Sequence, residues 1–419
     1  MVGTAEARPQ SDSPYAAMTQ LGRVLALVEN EYVDPVDRGK LVDGAIEGMV
    51  GSLDPHSSYL PPHDYKQLQE DTEGRFAGIG VEVELRDDFI VILATIEGSP
   101  AERAGLKSGD RIVAVGGQTI KEIGYDKLVR RMRGAPGTHV KLTVVRDGHM
   151  EPMQVDLVRA EVQMVSVKGA MMPGGVAYVQ IKQFQDKTHD ELEKTVAELR
   201  ATNKPIVGVL LDLRTNPGGL VDQATAVADE FLTSGVIYTM RHRGQVVETA
   251  NAHSGGAFAD LPVVVLVNEW SASAAELVTG ALQDSAHATV VGTRTWGKGV
   301  VQSILDLPGG AGLKLTVSRY YTPSGHGVQG DGIHPDVLVK PSKEVDGGIT
   351  FRESDYANAL PAEGPLGHDT NVVVTYDVPD GGSPDSMIAR EIPADPRSSK
   401  DVVMRVGYET LLRKIQAKK

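Results

Sequence analysis

Three short segments of this 419-residue chain hold residue types in arrangements that can do chemistry. The first is Leu211-Asp212-Leu213-Arg214-Thr215-Asn216-Pro217-Gly218-Gly219, an apolar run ending in two glycines ahead of a helical pattern. Such a turn aims backbone N–H groups outward at a helix start, where they can hold an anion. An oxyanion hole needs that geometry, and a plain strand-to-helix turn has it too. The second is Asn268-Glu269-Trp270-Ser271-Ala272-Ser273-Ala274-Ala275-Glu276, which puts two serines at another strand-to-helix junction. A serine there ordinarily caps the helix. As a nucleophile it would sit near the helix's positive end. The third is Gly292-Thr293-Arg294-Thr295-Trp296-Gly297-Lys298-Gly299-Val300-Val301-Gln302. It nearly spells a phosphate-binding loop, but Gly299 stands where the magnesium-binding hydroxyl belongs, so nucleotide binding is not expected. Read by itself, Lys298 is a solvated loop charge.

A serine nucleophile needs a base. The chain has 11 histidines, but no Gly-x-Ser-x-Gly elbow and no recognisable triad signature around any of them. His326 and His334 fall in a Gly-rich turn and read as structural. A neutral lysine can replace histidine. At its ordinary pKa only roughly one lysine in a few thousand is neutral at pH 7, and burial among apolar groups lowers that pKa. Lys298, flanked by Trp296 and Val300, suits this, and Gln302 four residues on can hold the amine by a hydrogen bond.

The surrounding patterns supply the elements that must position these groups. Residues 13–72 read as a helical module, with Met18, Leu21, Leu25, Val28 and Tyr32 on one stripe, a break at Pro35 and a second helix over Leu41, Ala45 and Met49. Too small to bury much alone, this module is expected to pack on the rest of the chain or on another subunit. Residues 73–160 switch to short strands with helices at Ser99–Leu106 and Tyr125–Met132, one compact domain. Over 161–341, strands at Val176–Ile181, Ile206–Asp212, Val263–Asn268 and Thr289–Gly292 alternate with helices at Asp190–Thr202, Leu220–Leu232 and Ala274–Gln283, an α/β layer structure. Residues 342–419 carry weak signals until a final helix with Met404, Tyr408, Leu411 and Ile415 on one face.

Composition narrows the classes. Hydrophobic residues at 41% and charged residues at 23% are ordinary for a globular chain with ample core. A net charge of -14 disfavours nucleic acid and anionic membrane as general partners. With no cysteine, disulfides, thiolate nucleophiles and cysteine-based zinc sites are excluded. No 18-residue apolar run predicts a transmembrane segment, and the polar stretch Met1–Gln20 has no apolar signal core.

Taken together, the segments resemble the carboxy-terminal processing proteases, also called tail-specific proteases. The resemblance runs over Leu53–Leu60, a PDZ-like region, Leu211–Gly219, Ser271–Glu276, Gly297–Gln302 and Thr322–Asp336. Ser273 and Lys298 are 25 residues apart, as that family's Ser–Lys pair is. The resemblance implies Ser273 as nucleophile, Lys298 as general base, Gln302 as the residue that orients it, and the N–H groups of Gly219 and Ala274 as oxyanion hole. Ala275 departs from the family's usual serine there, and Trp270 from its frequent glycine. Gly78-Ile79-Gly80-Val81 looks like a PDZ carboxylate-binding loop, whose amides grip a terminal carboxylate while the peptide adds as a strand. Arg133, just after the PDZ-like helix, is placed to contact substrate or the peptidase domain.

The fold implied is multidomain, α/β and α+β: a crotonase-like α/β peptidase domain with an inserted PDZ domain and an N-terminal helical module. The activity implied is a serine endopeptidase acting on proteins with exposed, nonpolar C-termini, with the PDZ domain gating access. No metal or cofactor is expected. The expected partners are protein substrates, an adaptor protein and further copies of the chain, and the expected location is the bacterial periplasm after loss of a signal segment. Two other classes fit some features. A tail-binding PDZ scaffold with a latent peptidase domain would bind without turnover. A PDZ-bearing trypsin-like protease would need a Gly-Asn-Ser-Gly-Gly-type motif, which does not occur.

Overall fold

The computed structural model describes residues 14–86, 89–148, 151–285, 288–343, 351–365, 367–378, 387–388 and 392–418. The opening stretch read for a signal therefore lies largely outside the described residues. The chain divides into two compact units. The first takes the residues up to Tyr65, Gln302–Val317 and Ala357–Ala359; the second takes Lys66–Val301, Ser318–Tyr356 and Leu360–Lys419.

In the first unit, helix Pro14–Glu31 is followed by helix Arg38–Gly51. Asp37 starts the second helix by accepting from the N–H of Lys40. The apolar stripe on the first helix is largely uncovered: Met18 is 66% exposed, Leu21 52% and Tyr32 60%. Strand Ser58–Leu60 then pairs antiparallel with residues Gly312–Lys314.

The second unit contains a six-stranded antiparallel sheet, built from Val81–Arg86, Phe89–Thr95, Arg111–Val115, His139–Val145 and Met153–Val158 with the short strand Gln118–Thr119. Alternating side chains of these strands (Ile90, Ile92, Ile112, Leu142 and Val144) meet Leu128 of helix Tyr125–Met132 in one apolar core. At the sheet's end, buried Asp110 takes a forked pair of hydrogen bonds from Arg146, at 2.6 and 2.7 Å.

The same unit holds a seven-stranded sheet in the order Val167–Met172, Val176–Ile181, Gly208–Asp212, Val263–Val267, Thr289–Gly292, Val337–Pro341, Val372–Tyr376. The first pair is antiparallel and the other five pairings are parallel. The two central strands, Gly208–Asp212 and Val263–Val267, are buried at every residue, as a parallel sheet covered on both faces requires. Val209, Leu211, Val263, Val265 and Val267 face one layer, where helices Thr188–Ala201, Val221–Asp229 and Ala274–Ser285 pack. Leu210, Val264 and Leu266 face the other, against Met404, Tyr408, Leu411 and Ile415 of helix Val402–Ala417. A Cβ on Gly407 would come within 2.4 Å of Leu266, so that helix approaches the sheet closely through a glycine. The three segments with candidate chemistry all leave the C-terminal ends of these parallel strands, where ligand sites of such sheets form.

Candidate active site

The loop after Gly208–Asp212 is held by a buried ion network. Arg214 donates from Nε and one terminal nitrogen to Asp212 (2.9 and 2.6 Å) and from the other to both oxygens of Asp401 (2.8 and 2.9 Å). Tyr178 donates to the same Asp212 carboxylate at 2.9 Å. Burial works against the Arg214 charge, but the two carboxylates outweigh it and raise its pKa well above the ordinary value. A charge so paired fixes the backbone that carries it.

Thr215 then takes a left-handed conformation, φ 58°, stabilised by Asn268, whose side chain accepts the Thr215 N–H at 2.7 Å. Asn216 ties three elements together. Its side chain donates to the carbonyl of Ile181 and accepts from the N–H of Gly218, both at 2.8 Å, and its carbonyl accepts from the N–H of Ala272 at 2.9 Å. The carbonyl of Gly218 and the N–H of Leu220 both bond Phe184 (2.9 and 2.8 Å), which leaves the N–H of Gly219 pointing to the opposite side. A Cβ on Gly218 would lie 2.8 Å from the Cβ of Ser273 and 2.9 Å from the N of Ala274. The turn must be glycine there because the serine and the helix start pack directly on it.

The two serines that look alike in sequence have different fates. Ser271 is fully buried and its hydroxyl is committed, donating to the carbonyl of Leu213 at 2.8 Å and accepting from the N–H of Asn268 at 3.0 Å. Ser273 is half-buried, with φ 54°. A non-glycine residue in that region is strained and needs its surroundings to hold it. Its N–H donates to Glu276 at 2.8 Å, and its carbonyl accepts from the N–H groups of Glu276 and Leu277, at 2.8 and 3.0 Å, to start helix Ala274–Ser285. Glu276, rather than the serine hydroxyl, supplies the cap at this helix start.

The lysine loop is fastened to the same groups. Glu276, fully buried, accepts at one oxygen from the N–H of Ser273 (2.8 Å) and of Lys298 (2.9 Å), and at the other from the N–H of Gly297 (2.7 Å) and the hydroxyl of Thr295 (2.5 Å). Burial pushes its carboxyl up to about 7, and these four donors oppose that rise. On the other side of both backbones, the Tyr320 hydroxyl lies 2.8 Å from the carbonyl of Ser273 and 3.0 Å from that of Lys298, and donates to them. One carboxylate oxygen thus bridges the N–H groups of Ser273 and Lys298, and one phenol bridges their carbonyls. Lys298 itself is half-buried between the buried glycines 297 and 299. Ser273, Ala274, Lys298 and the Gly218-Gly219 turn are therefore brought together.

Gln302 lies in the first unit, on strand Val300–Asp306, where its amide nitrogen donates to the hydroxyl of Thr316 at 3.3 Å. The Gly78–Val81 segment lies between strands Arg75–Gly78 and Val81–Arg86. Ile79 is buried, Gly80 has φ +77°, and the carbonyls of Ile79 and Gly80 accept from Ala101, and from Ile96 and Ser99, respectively. Arg133 pairs with Asp71 at 3.4 Å and stacks over the Phe76 ring. Trp270 and Trp296 stack on each other beside Ser273 and Lys298 in sequence, 6.2 Å between ring centres. Among the described residues, the one cluster with metal-ligand spacing is His189, Asp190 and Glu193, and His189 already pairs with Glu230 at 2.9 Å.

Glu276 and Tyr320 were not singled out as site residues by sequence reasoning. For Glu276 a signal existed, since Ser273-Ala274-Ala275-Glu276 has the spacing of a capping box. For Tyr320, 47 residues beyond Ser273, no local signal existed.

The profile of peptidase family S41 matches residues 175–339, a PDZ domain profile matches 91–146, and the profile of the N-terminal domain of the activating protease CtpB matches 2–63. A carboxy-terminal-processing protease of Bartonella bacilliformis is 39% identical over 348 residues, 81% of this chain and 80% of that protein. A probable CtpA-like serine protease of Staphylococcus aureus is 37% identical over 332 residues, 78% of this chain and 66% of that one. Among solved structures, the photosystem II D1 C-terminal processing protease is similar at 29% identity and a TM-score of 0.49, over 76% of this chain and 86% of that one. The chain is a serine peptidase with a PDZ domain, and it belongs to the carboxy-terminal-processing proteases of peptidase family S41. Among the described residues, no helix is long and apolar enough to cross a membrane.

Proposed function

We propose that the chain is an endopeptidase with a Ser–Lys mechanism. Ser273 Oγ attacks the scissile carbonyl carbon while the neutral amine of Lys298 takes its proton. The ammonium then gives that proton to the leaving amine as the C–N bond breaks, leaving an ester on Ser273. Water attacks the ester, Lys298 takes its proton, and the proton returns to Ser273 Oγ as the acid departs. The N–H groups of Gly219 and Ala274 stabilise the oxyanion in both halves. Gln302 holds the lysine amine in position. The observation that supports this reading most directly is the double bridge, Glu276 on one side and Tyr320 on the other, between the backbones of Ser273 and Lys298.

In this reading the PDZ domain recognises exposed nonpolar C-termini through Gly78, Ile79, Gly80 and Val81, and the protein works in the bacterial periplasm. It assembles with further copies of itself through the uncovered apolar face of helix Pro14–Glu31, for which Met18 and Leu21, 66% and 52% exposed, are the central residues. Light scattering that finds a monomer at all concentrations would end that part of the proposal. The main test is digestion of one unfolded protein carrying either an apolar or a charged C-terminus. Wild type should cut the apolar-tailed form faster, and Ser273→Ala and Lys298→Ala should each abolish cutting while still binding it. Stoichiometric tail binding by wild type with no turnover would instead make the protein a scaffold.

A further inference from the structure

Four aromatic side chains of the second unit form a run that starts at the two segments carrying the reacting pair. Trp270 and Trp296 stack with ring planes 10° apart and centres 6.2 Å apart. The Phe351 ring lies 6.2 Å from that of Trp296, and Tyr356 ends the run edge-on to Phe351 at 4.8 Å. Chain connectivity keeps the near end close to the chemistry. Trp270 precedes Ser273 by three residues and Trp296 precedes Lys298 by two, so their Cα atoms lie at most roughly 11 and 7 Å from those of the pair. Hydrogen bonds hold the rings in place. The backbone N–H of Trp296 donates to the carbonyl of Ser271 at 3.0 Å, joining the two loops. Its indole N–H donates at 3.1 Å to buried Glu353, which also accepts from the Gln329 amide at 2.9 Å. Arg352 donates to the carbonyl of Thr295 at 2.8 Å, so segment 351–356 is fastened to the lysine loop.

These rings stay partly uncovered, whereas Phe184, Phe231, Phe258 and Tyr408 of the same unit are buried. Trp270 is 37% exposed, Phe351 44% and Tyr356 37%. An apolar run already fixed by hydrogen bonds loses little rotamer freedom when a partner covers it, so most of the burial energy is kept. Trp296 has spent its one donor on Glu353, so its ring offers carbon and calls for an apolar partner. The spacing adds a second constraint. Side chains on one face of an extended chain recur every two residues, or roughly 7 Å. Successive ring centres in the run from Trp270 to Phe351 are 6.2 Å apart. We propose that this run is a specificity subsite for the substrate polypeptide, seating two apolar side chains two residues apart on one side of the scissile bond. The Trp270–Trp296 step takes the nearer side chain and the Trp296–Phe351 step the farther. The inference rests on the reading of Ser273 and Lys298 as the reacting pair.

The test uses the full chain and one internally quenched peptide in which phenylalanine or serine is placed at one position at a time on either side of the cut bond. Mass spectrometry identifies the bond cut in each case. Wild type should show kcat/KM about three- to tenfold higher for phenylalanine than for serine at two positions, two residues apart on the same side. Trp270→Ala should erase the preference at the nearer position and Phe351→Ala at the farther one, each sparing the other. Should Trp270→Ala fold poorly, Trp270→Leu removes the ring with less loss of volume and is read in the same way. A wild-type scan with no such pair of positions, or preferences that survive both variants, overturns the proposal. An altered oligomeric state in Trp270→Ala with both preferences intact overturns it too, and assigns the run to contact with a second copy. Cleavage by Ser273→Ala at the wild-type rate would instead sink the reading of the reacting pair, and that variant tells the two failures apart.

Discussion

Tyr320→Phe isolates the phenol bridge between Ser273 and Lys298. The Tyr320 ring is 2% exposed, and phenylalanine fills the same space, so the change removes one hydroxyl and little packing. That hydroxyl has one proton for two carbonyl oxygens, at 2.8 and 3.0 Å. The Ser273 carbonyl keeps two helix N–H donors after the change. The stability cost is therefore that of one net hydrogen bond, about 1 kcal/mol. The catalytic cost should be larger. With Glu276 as the remaining bridge, the carbonyl side of Lys298 can shift relative to Ser273 by a fraction of an ångström, which lowers kcat by about ten- to a hundredfold with KM little changed. Burial, followed by the charges of Glu276 and Glu353, pushes the Tyr320 hydroxyl pKa up, so the donor stays protonated through the working range and the loss should not vary with pH. The assay pairs steady-state cleavage with the rate at which a serine-reactive phosphonate labels Ser273. Tyr238→Phe is the control: it loses a comparable hydrogen bond, to Glu248 at 2.6 Å, away from the site. If Tyr320→Phe labels and cleaves like the control, the phenol does not position the pair.

Gly218→Ala should abolish cleavage in a protein that still folds its PDZ domain, because the added Cβ meets Ser273 at 2.8 Å and φ +100° is unfavourable for alanine; activity assayed beside segmental hydrogen exchange checks both halves. Burial raises the Asp110 pKa, but Arg146 and the Lys107 N–H outweigh it, so the folded value lies below the unfolded one. That contribution to stability is present above the unfolded pKa and is lost as pH falls through the folded pKa. Asp110→Asn should cost the sheet Val81–Val158 about 2 kcal/mol at neutral pH, flatten its acid dependence below about pH 4, and weaken tail selectivity more than phosphonate labelling of Ser273, as hydrogen exchange and tail-dependent cleavage would read out. The chain's two tryptophans, Trp270 and Trp296, stack beside the site, so intrinsic fluorescence should change on acylation of Ser273 and the change should vanish in Trp270→Phe; an unchanged spectrum on full labelling counts against the placement.

What could be read before the structure follows from the range of each interaction. The buried strand Val263–Val267 is legible because a run of β-branched and apolar residues needs cover on both faces, and helix Val402–Ala417 because its stripe of Met404, Tyr408, Leu411 and Ile415 buries as a unit. Strand Val372–Tyr376 was not read, since its local signal is weak and its place beside Val337–Pro341 comes from tertiary pairing. The apolar stripe on Pro14–Glu31 is legible from its spacing, but periodicity states that a face seeks a partner and not which partner, and among the described residues much of it stays exposed. The site divides in the same way. Ser271 and Ser273 are equal as letters, and only the strand-end carbonyl of Leu213, 58 residues away, takes the first out of contention. The spacing of Ser273 and Lys298 can be read from the sequence, whereas the reason the spacing works cannot. That reason is a carboxylate that looks like a local helix cap and in fact reaches Gly297 and Lys298, and a phenol contributed by a later strand. A sequence motif in such a protein marks the atoms that react. The atoms that hold them in register belong to residues whose partners are distant, and Glu276 and Tyr320 become candidates only once hydrogen bonds are traced outward from the reacting pair.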